Sequence, residues 1–266
     1  IYLPGIIKKK FLKKKMIIRV NGFPMLKFKK KIVFTGGNGR FGKVLQKKIN
    51  NADMTVHFPS SKELNILNVS SIKKYLKLKK PKYLIHAAGL SRPMHLHDKD
   101  ISKSIDLNII GTANITKICS DLNIKLIYFS TSYVYAGEKN NYKENDSLKP
   151  INNYGLSKLG GEAAVQMYKN SLILRISMTE KPFIHKSAFN DFITNFIFHE
   201  DVVLILFKIL DQKGIINIGG KSQSVYKFAK KSNPSIKKES AKKILGKNAK
   251  INVGMNINKL TKILNN

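Results

Sequence analysis

From Lys31 onward, short runs rich in Ile, Val, Leu and aromatic residues alternate with longer stretches whose apolar residues return every three to four positions. A short continuous apolar run fits a strand covered on both faces, and the longer period fits a helix with one apolar stripe. Their alternation is the pattern of βαβ units on a parallel sheet. Strands are predicted over residues 32–35, 55–58, 83–86, 125–130, 172–176 and 215–218, with helices over 40–49, 70–78, 101–122, 154–168 and 200–210. The fold class is therefore α/β, a Rossmann-type doubly wound parallel sheet with a small C-terminal lobe. Residues 25–178, rejoined by 200–219, are expected to make the sheet domain. Residues 179–199 and 220–266 hold only short segments, enough for a reduced substrate lobe.

Residues 1–24 break the pattern. They carry Lys8, Lys9, Lys10 and Lys13, Lys14, Lys15, start with Ile, and end at Gly22-Phe23-Pro24 just before Met25. They lack the longer apolar stretch and small-residue cleavage site of a signal peptide. The expectation is an upstream extension with Met25 as the start; the alternative is a basic arm touching anionic surfaces. No apolar run approaches the roughly 20 residues of a membrane-spanning helix, so no membrane span is expected. One cysteine, Cys119, excludes an intramolecular disulfide and fits a reducing cytoplasm. Its neighbours Ile115, Ile118 and Leu122 place it in the core, and no metal site is expected.

The 49 Lys and Arg against 16 Asp and Glu give a formal charge of +33, which raises nucleic acid as a partner. Only Arg19, Arg40, Arg92 and Arg175 are arginines, however, and the excess lysine is spread along every segment with abundant Asn and Ile. That pattern fits codon bias from an AT-rich genome. A nucleic-acid surface more often concentrates arginine and aromatics, so no specific nucleic-acid partner is expected. The charge still favours polyanions such as nucleoside diphosphates.

Candidate chemistry lies at several places along the chain. After the first strand, Gly36, Gly39 and Gly42 fall at three-residue spacing, with Arg40 and Phe41 between the last two. A turn without Cβ atoms lets a pyrophosphate approach backbone amides and a helix N-terminus, where partial positive charge collects. At the end of the second strand, His57-Phe58-Pro59-Ser60-Ser61-Lys62 offers no acid for the ribose hydroxyls of NAD. Ser60, Ser61, Lys62 and Arg40 are instead read as a 2′-phosphate site, which favours NADP(H) over NAD(H). His86-Ala87-Ala88-Gly89 closes the third strand with small residues against which a cofactor can lie flat, His86 itself reading as packed. In the next helix, Asn108 is read as orienting an active-site water.

Finally, Tyr154 and Lys158 stand one helical turn apart on one face, downstream of a hydroxyl-bearing strand end at Ser130-Thr131-Ser132. Reducing a ketone requires a hydride donor, a proton donor at the oxygen and a polar group fixing that oxygen. Tyr154 fits the proton donor, Lys158 the neighbouring charge that tunes it and holds the nicotinamide ribose, and Thr131 the group that bonds the oxygen. Tyr154 and Thr131 also have ordinary structural readings, as a surface or core helix tyrosine and a strand-end capping hydroxyl.

These residues in this order resemble the extended short-chain dehydrogenase/reductase superfamily, from about Lys31 to the C-terminus, and within it the dTDP-4-dehydrorhamnose reductases and related sugar-nucleotide reductases. Ser130-Thr131-Ser132-Tyr133-Val134-Tyr135 stands where the family has Ser-Thr-Asp-Tyr-Val-Phe, so Ser132 replaces an Asp. The resemblance implies catalytic roles for Thr131, Tyr154 and Lys158, with Asn108 as the active-site Asn. It also implies an NAD(P)H-dependent oxidoreductase acting on a keto group of a nucleotide-linked deoxysugar. A homodimer is left open. Two alternatives share the resemblance: a nucleotide-sugar epimerase, and a cofactor-binding regulatory subunit like that of methionine adenosyltransferase. Residues 177–199 are shorter than the substrate-binding insertion of many relatives.

Overall fold

The computed structural model describes residues 30–49 and 53–265, and the basic segment 1–24 lies outside them. The chain runs β1 (Lys30–Thr35), α1 (Arg40–Lys48), β2 (Met54–His57), α2 (Val69–Lys79), β3 (Tyr83–His86), α3 (Leu96–Lys99), α4 (Ile101–Ile105), a π-turn (Asp106–Ile110), α5 (Gly111–Asp121) and β4 (Lys125–Thr131). It continues through a 3-10 turn (Ser132–Val134), α6 (Asn153–Gln166), β5 (Ser171–Ile176), the short strands β6 (Met178–Thr179), β7 (Ser187–Phe189), β8 (Ile193–Thr194) and β9 (Ile197–Phe198), and α7 (His199–Lys208). The remainder is β10 (Gly214–Ile218), β11 (Gln223–Ser224), α8 (Val225–Ala229), β12 (Lys237–Glu239), α9 (Ala241–Leu245) and α10 (Asn258–Asn265).

Six strands form one parallel sheet in the order β10-β5-β4-β3-β1-β2, with Ile32 beside Val56 and Val33 beside Leu84. The near-continuous apolar runs follow from burial on both faces. Along β1, Ile32 and Phe34 enter one core while Val33 enters the other, and along β4 Ile127 and Phe129 alternate with Leu126 and Tyr128. Side chains of α1 and α7 cover the first face, and those of α2, α5 and α6 the second. This is the doubly wound arrangement read from the sequence. Cys119 is buried in the second core, its thiol pushed up by burial.

A third, smaller core joins Phe183, Ala188 and Phe192 to Val225, Ala229 and Ile236. It is knitted by β7 with β12 and β8 with β11, and by Asp191, which accepts from the Ser240 hydroxyl at 2.6 Å and the Ala241 amide at 2.7 Å. The last helix sits elsewhere: Leu260, Ile263 and Leu264 pack into the first core of the sheet.

The helix predicted over 101–122 differs in one respect. It widens into a π-turn at Asp106–Ile110, which adds a residue to one turn and turns Asn108 inward, where it bonds the loop after β3.

Candidate active site

The strand order reverses beside β1: the chain leaves β1 for β2 at the edge, then returns past it to β3. In an open α/β sheet the crevice beyond such a switch point takes the ligand. Here a cleft of about 870 Å³ opens there, lined by the turn after β1, residues 87–94, the end of β4, Tyr154 and Lys158, and residues 176–178, 180, 184 and 185. Gly36 has φ +88°, and a Cβ on it would lie 2.8 Å from the Ala87 carbonyl carbon, so the two strand ends close together only with glycine there. A Cβ on Gly42 would strike the Gly37 carbonyl oxygen. Helix α1 opens at Arg40 behind Gly39, which supplies no capping side chain, so the first amides of the helix are open to an anion. This cradle fits the diphosphate of a dinucleotide, with Ala87, Ala88 and Gly89 forming the flat wall beside it.

Beyond the cradle stand the reactive side chains. Asn152 caps α6 by accepting from the Gly155 amide at 2.8 Å, which fixes the turn that carries Tyr154. Burial pushes the Tyr154 phenol up to about 12; the Thr131 hydroxyl opposes the rise, Tyr133 adds to it and Arg92 opposes it. Lys158 is 6% exposed, and burial pulls its ammonium down to about 7 against the attraction of Glu162. Its Nζ lies 4.2 Å from the centre of the Tyr128 ring, a cation–π contact. Thr131, at the end of β4, is buried, and its hydroxyl accepts from the Tyr133 amide at 3.3 Å. Thr131, Tyr154 and Lys158 thus line one cleft with the glycine turn.

A buried ion pair forms the floor. Arg175 Nε donates to Glu162 at 3.1 Å, and Arg175 Nη1 donates to the Tyr135 hydroxyl at 3.0 Å and to the Glu144 carbonyl at 2.9 Å. Ser130, the neighbour of Thr131, donates to Glu162 at 2.7 Å.

The family described as RmlD substrate binding domain matches residues 30–200, more than half of the sequence and all of the cleft walls up to α7. The chain belongs to this family. Among curated relatives of this RmlD-family chain, methionine adenosyltransferase 2 subunit beta of Xenopus laevis is 29% identical over 155 residues, 55% of this chain and 46% of its own. The dTDP-4-dehydrorhamnose reductase of Aggregatibacter actinomycetemcomitans is 28% identical over 199 residues, 73% of this chain and 63% of its own. The chain spans about half the length of the methionine adenosyltransferase subunits it matches. The crystal structure of dTDP-4-dehydrorhamnose reductase from Bacillus anthracis in complex with NADP shares the fold, with TM-score 0.78 and 24% identity over 88% of this chain and 92% of that one. The Bordetella bronchiseptica enzyme WbmG in complex with NAD and UDP does so with TM-score 0.69 and 18% identity over 88% and 87%.

Asn108 does not face the cleft: it is 1% exposed, its Oδ1 accepts from the Leu90 amide at 2.7 Å, and its Nδ2 donates to the Leu90 carbonyl and the Ser157 hydroxyl, both at 2.8 Å. It positions the loop after β3 against α6, with its amide hydrogens and Oδ1 engaged there rather than on water. Ser60, Ser61 and Lys62 also stand outside the cleft lining. The premise that no acid follows the second strand is corrected by Glu63, whose carboxylate accepts from the Ser60 amide at 2.8 Å and the Ser60 hydroxyl at 2.9 Å. Arg40 turns away from these residues and pairs with Glu180 at 2.9 Å. The Phe41 ring packs on Phe34, Phe129 and His199, and the residue lines the cleft. His86 is packed as read: its ring nitrogens meet the Thr35 hydroxyl at 2.8 Å and the Thr112 hydroxyl at 3.2 Å, and burial with the Lys158 charge holds it down to about 3.

Sequence reading missed Arg92, Glu180 and His199, which line the cleft from three separate segments. For Glu63 a signal was present. Ser60-Ser61-Lys62-Glu63 is the Ser-x-x-Glu spacing of a capping box, in which the acid reaches back to the first amide.

Proposed function

We propose that this chain is an NAD(P)H-dependent reductase acting on a keto group of a nucleotide-linked deoxysugar. The observation that carries the reading is the meeting of Thr131, Tyr154 and Lys158 with the glycine turn in one cleft. When bound, the nicotinamide dinucleotide supplies the hydride. The glycine turn and the start of α1 hold its diphosphate, and Ala87 to Gly89 form the wall beside it. Thr131 bonds and orients the substrate oxygen. Tyr154, held up to about 12, is protonated at neutral pH, the form a proton donor to a ketone oxygen needs. Lys158 lies one turn along the same helix, where its charge favours the phenolate left behind.

The nucleotide part of the substrate is supported by the family and by relatives named for dTDP-4-dehydrorhamnose, with WbmG holding UDP as a further parallel. Relatives of known structure hold NADP or NAD. With Glu63 on the Ser60 hydroxyl and Arg40 paired with Glu180, the expected preference for NADP(H) loses two of its supports, and either nicotinamide dinucleotide suits the reading. Titration with NADPH and NADH reads the preference directly.

The test of the reaction is Tyr154→Phe, which removes one hydroxyl and keeps the ring. Turnover on a 4-keto nucleotide sugar should fall by about two to four orders of magnitude, the usual share of general acid catalysis, with cofactor affinity unchanged. A second reading is favoured by the methionine adenosyltransferase subunits among the relatives: a regulatory subunit that binds the cofactor without turnover. A wild-type protein that binds NADPH and reduces nothing in a broad panel of nucleotide-linked ketones selects that reading.

A further inference from the structure

The mouth of the cleft carries a charge arrangement to which the proposed reaction gives no role. Glu180 follows the short strand β6, and its carboxylate lies between two arginines from different walls. Arg40, the first residue of α1, donates from Nη1 to Oε1 at 2.9 Å. Arg92, in the loop after β3, brings its Nη1 to 3.6 Å from Oε2. The second distance is an ion-pair contact too long for a hydrogen bond, and Arg92 Nη1 is buried with no hydrogen-bond partner among the described residues. A buried guanidinium N–H without an acceptor is costly, so Arg92 gains from any anion that reaches it better than Glu180 does. His185 and His199 line the same region, both held below the usual imidazole range by burial, and so add no charge at neutral pH. Two cations therefore face one carboxylate.

Composition sharpens the point. Lysine supplies nearly all of the positive charge of this chain, yet the described arginines, Arg40, Arg92 and Arg175, each pair with a carboxylate in or beneath the cleft. The planar fork is found where directional contact with an oxyanion matters. Arg40 also belongs to the junction of turn and helix whose open amides form the diphosphate cradle, so Glu180 occupies an arginine at the edge of that cradle.

We propose that Glu180 is an internal competitor for the anionic ligand of the cleft, a carboxylate that holds Arg40 and Arg92 until diphosphate oxygens take them. This rests on the reading of a dinucleotide in the cleft. In the empty site Glu180 ties the start of α1 to the loop after β3. In the filled site the arginines turn to the ligand, and the repulsion between Glu180 and the diphosphate limits affinity and favours release.

Calorimetric titration of the intact chain and of Glu180→Gln with inorganic pyrophosphate, NADPH and NADH tests this. Competition predicts roughly 3- to 10-fold tighter binding to Glu180→Gln at low salt, the advantage shrinking as salt is added. Equal or weaker binding of both pyrophosphate and nucleotides overturns the proposal, while the dinucleotide reading stands as long as the wild type binds a nucleotide. A wild type that binds neither nucleotide, with pyrophosphate still held more tightly by Glu180→Gln, sinks the dinucleotide reading and leaves the competitor in place. Arg92→Gln gives an independent measure: losing the donor should weaken pyrophosphate binding several-fold, and unchanged binding overturns the proposal even if Glu180→Gln does not fold.

Discussion

Burial of the Lys158 ammonium lowers its pKa from 10.5 to about 7 against the attraction of Glu162, so between those values the unfolded chain holds more protons than the folded one. Folding therefore becomes more favourable as pH rises through this window, and below it the folded protein carries the full cost of a charge in a dry site. Lys158→Met should remove that cost. We expect a gain of on the order of 2 kcal/mol at pH 7 and below, fading as pH approaches 10.5, together with loss of turnover and weaker cofactor binding. Thermal melts at pH 6, 8 and 10 check it; a gain that does not shrink at high pH would contradict the assignment. The cost at Lys158 was not legible in the sequence, which placed Lys158 beside Tyr154 through their spacing of four but is silent on how deeply its ammonium is buried. Arg92 and Glu180 were hidden for a related reason. Their meeting depends on the paths of two loops, and loop paths leave no periodic trace.

Helix α6 shows how a side chain at an element's end governs chemistry inside it. Asn152 satisfies the Gly155 amide, and Tyr154 lies in that same first turn. Asn152→Ala should cost about 1 kcal/mol of stability, the usual worth of an N-cap. The fraying should fall on Tyr154, so kcat should drop more than cofactor affinity; equal losses in both would place the damage elsewhere. Elements of this kind were largely legible. The inner strands β1, β3, β4 and β5 announced themselves because apolar residues covered on two faces leave a compact run. The π-turn at Asp106–Ile110, the segment from which Asn108 bonds Leu90, was not legible. The strands β6, β8, β9 and β11, two residues each, are too short to show alternation at all.

The charge of the whole chain, +33, belongs to lysines spread over its length, and none of the reactive geometry depends on it. Duplex DNA should accordingly bind weakly and without sequence preference, with the logarithm of affinity falling linearly against the logarithm of salt as counterions are released. Electrophoretic competition among unrelated duplexes at rising salt reads this, and a sequence-selective complex at moderate salt would show a dedicated surface instead. The ion pair beneath the cleft acts in the opposite sense, as an isolated feature on which distant parts converge: Arg175 comes from β5, Glu162 from α6, and Tyr135, which also donates to Asn217 of β10 at 2.7 Å, from the loop after β4. Replacing either Arg175 or Glu162 alone strands a charge in a sealed interior, at a cost of about 3–5 kcal/mol, whereas replacing both spares that charge and leaves the Ser130 hydroxyl and the Glu144 carbonyl to find other partners. The two positions are therefore bound in their histories. Descendants of this sequence can abandon the ionic floor only by crossing a fitness valley or by changing both residues together, so each residue makes the other appear indispensable.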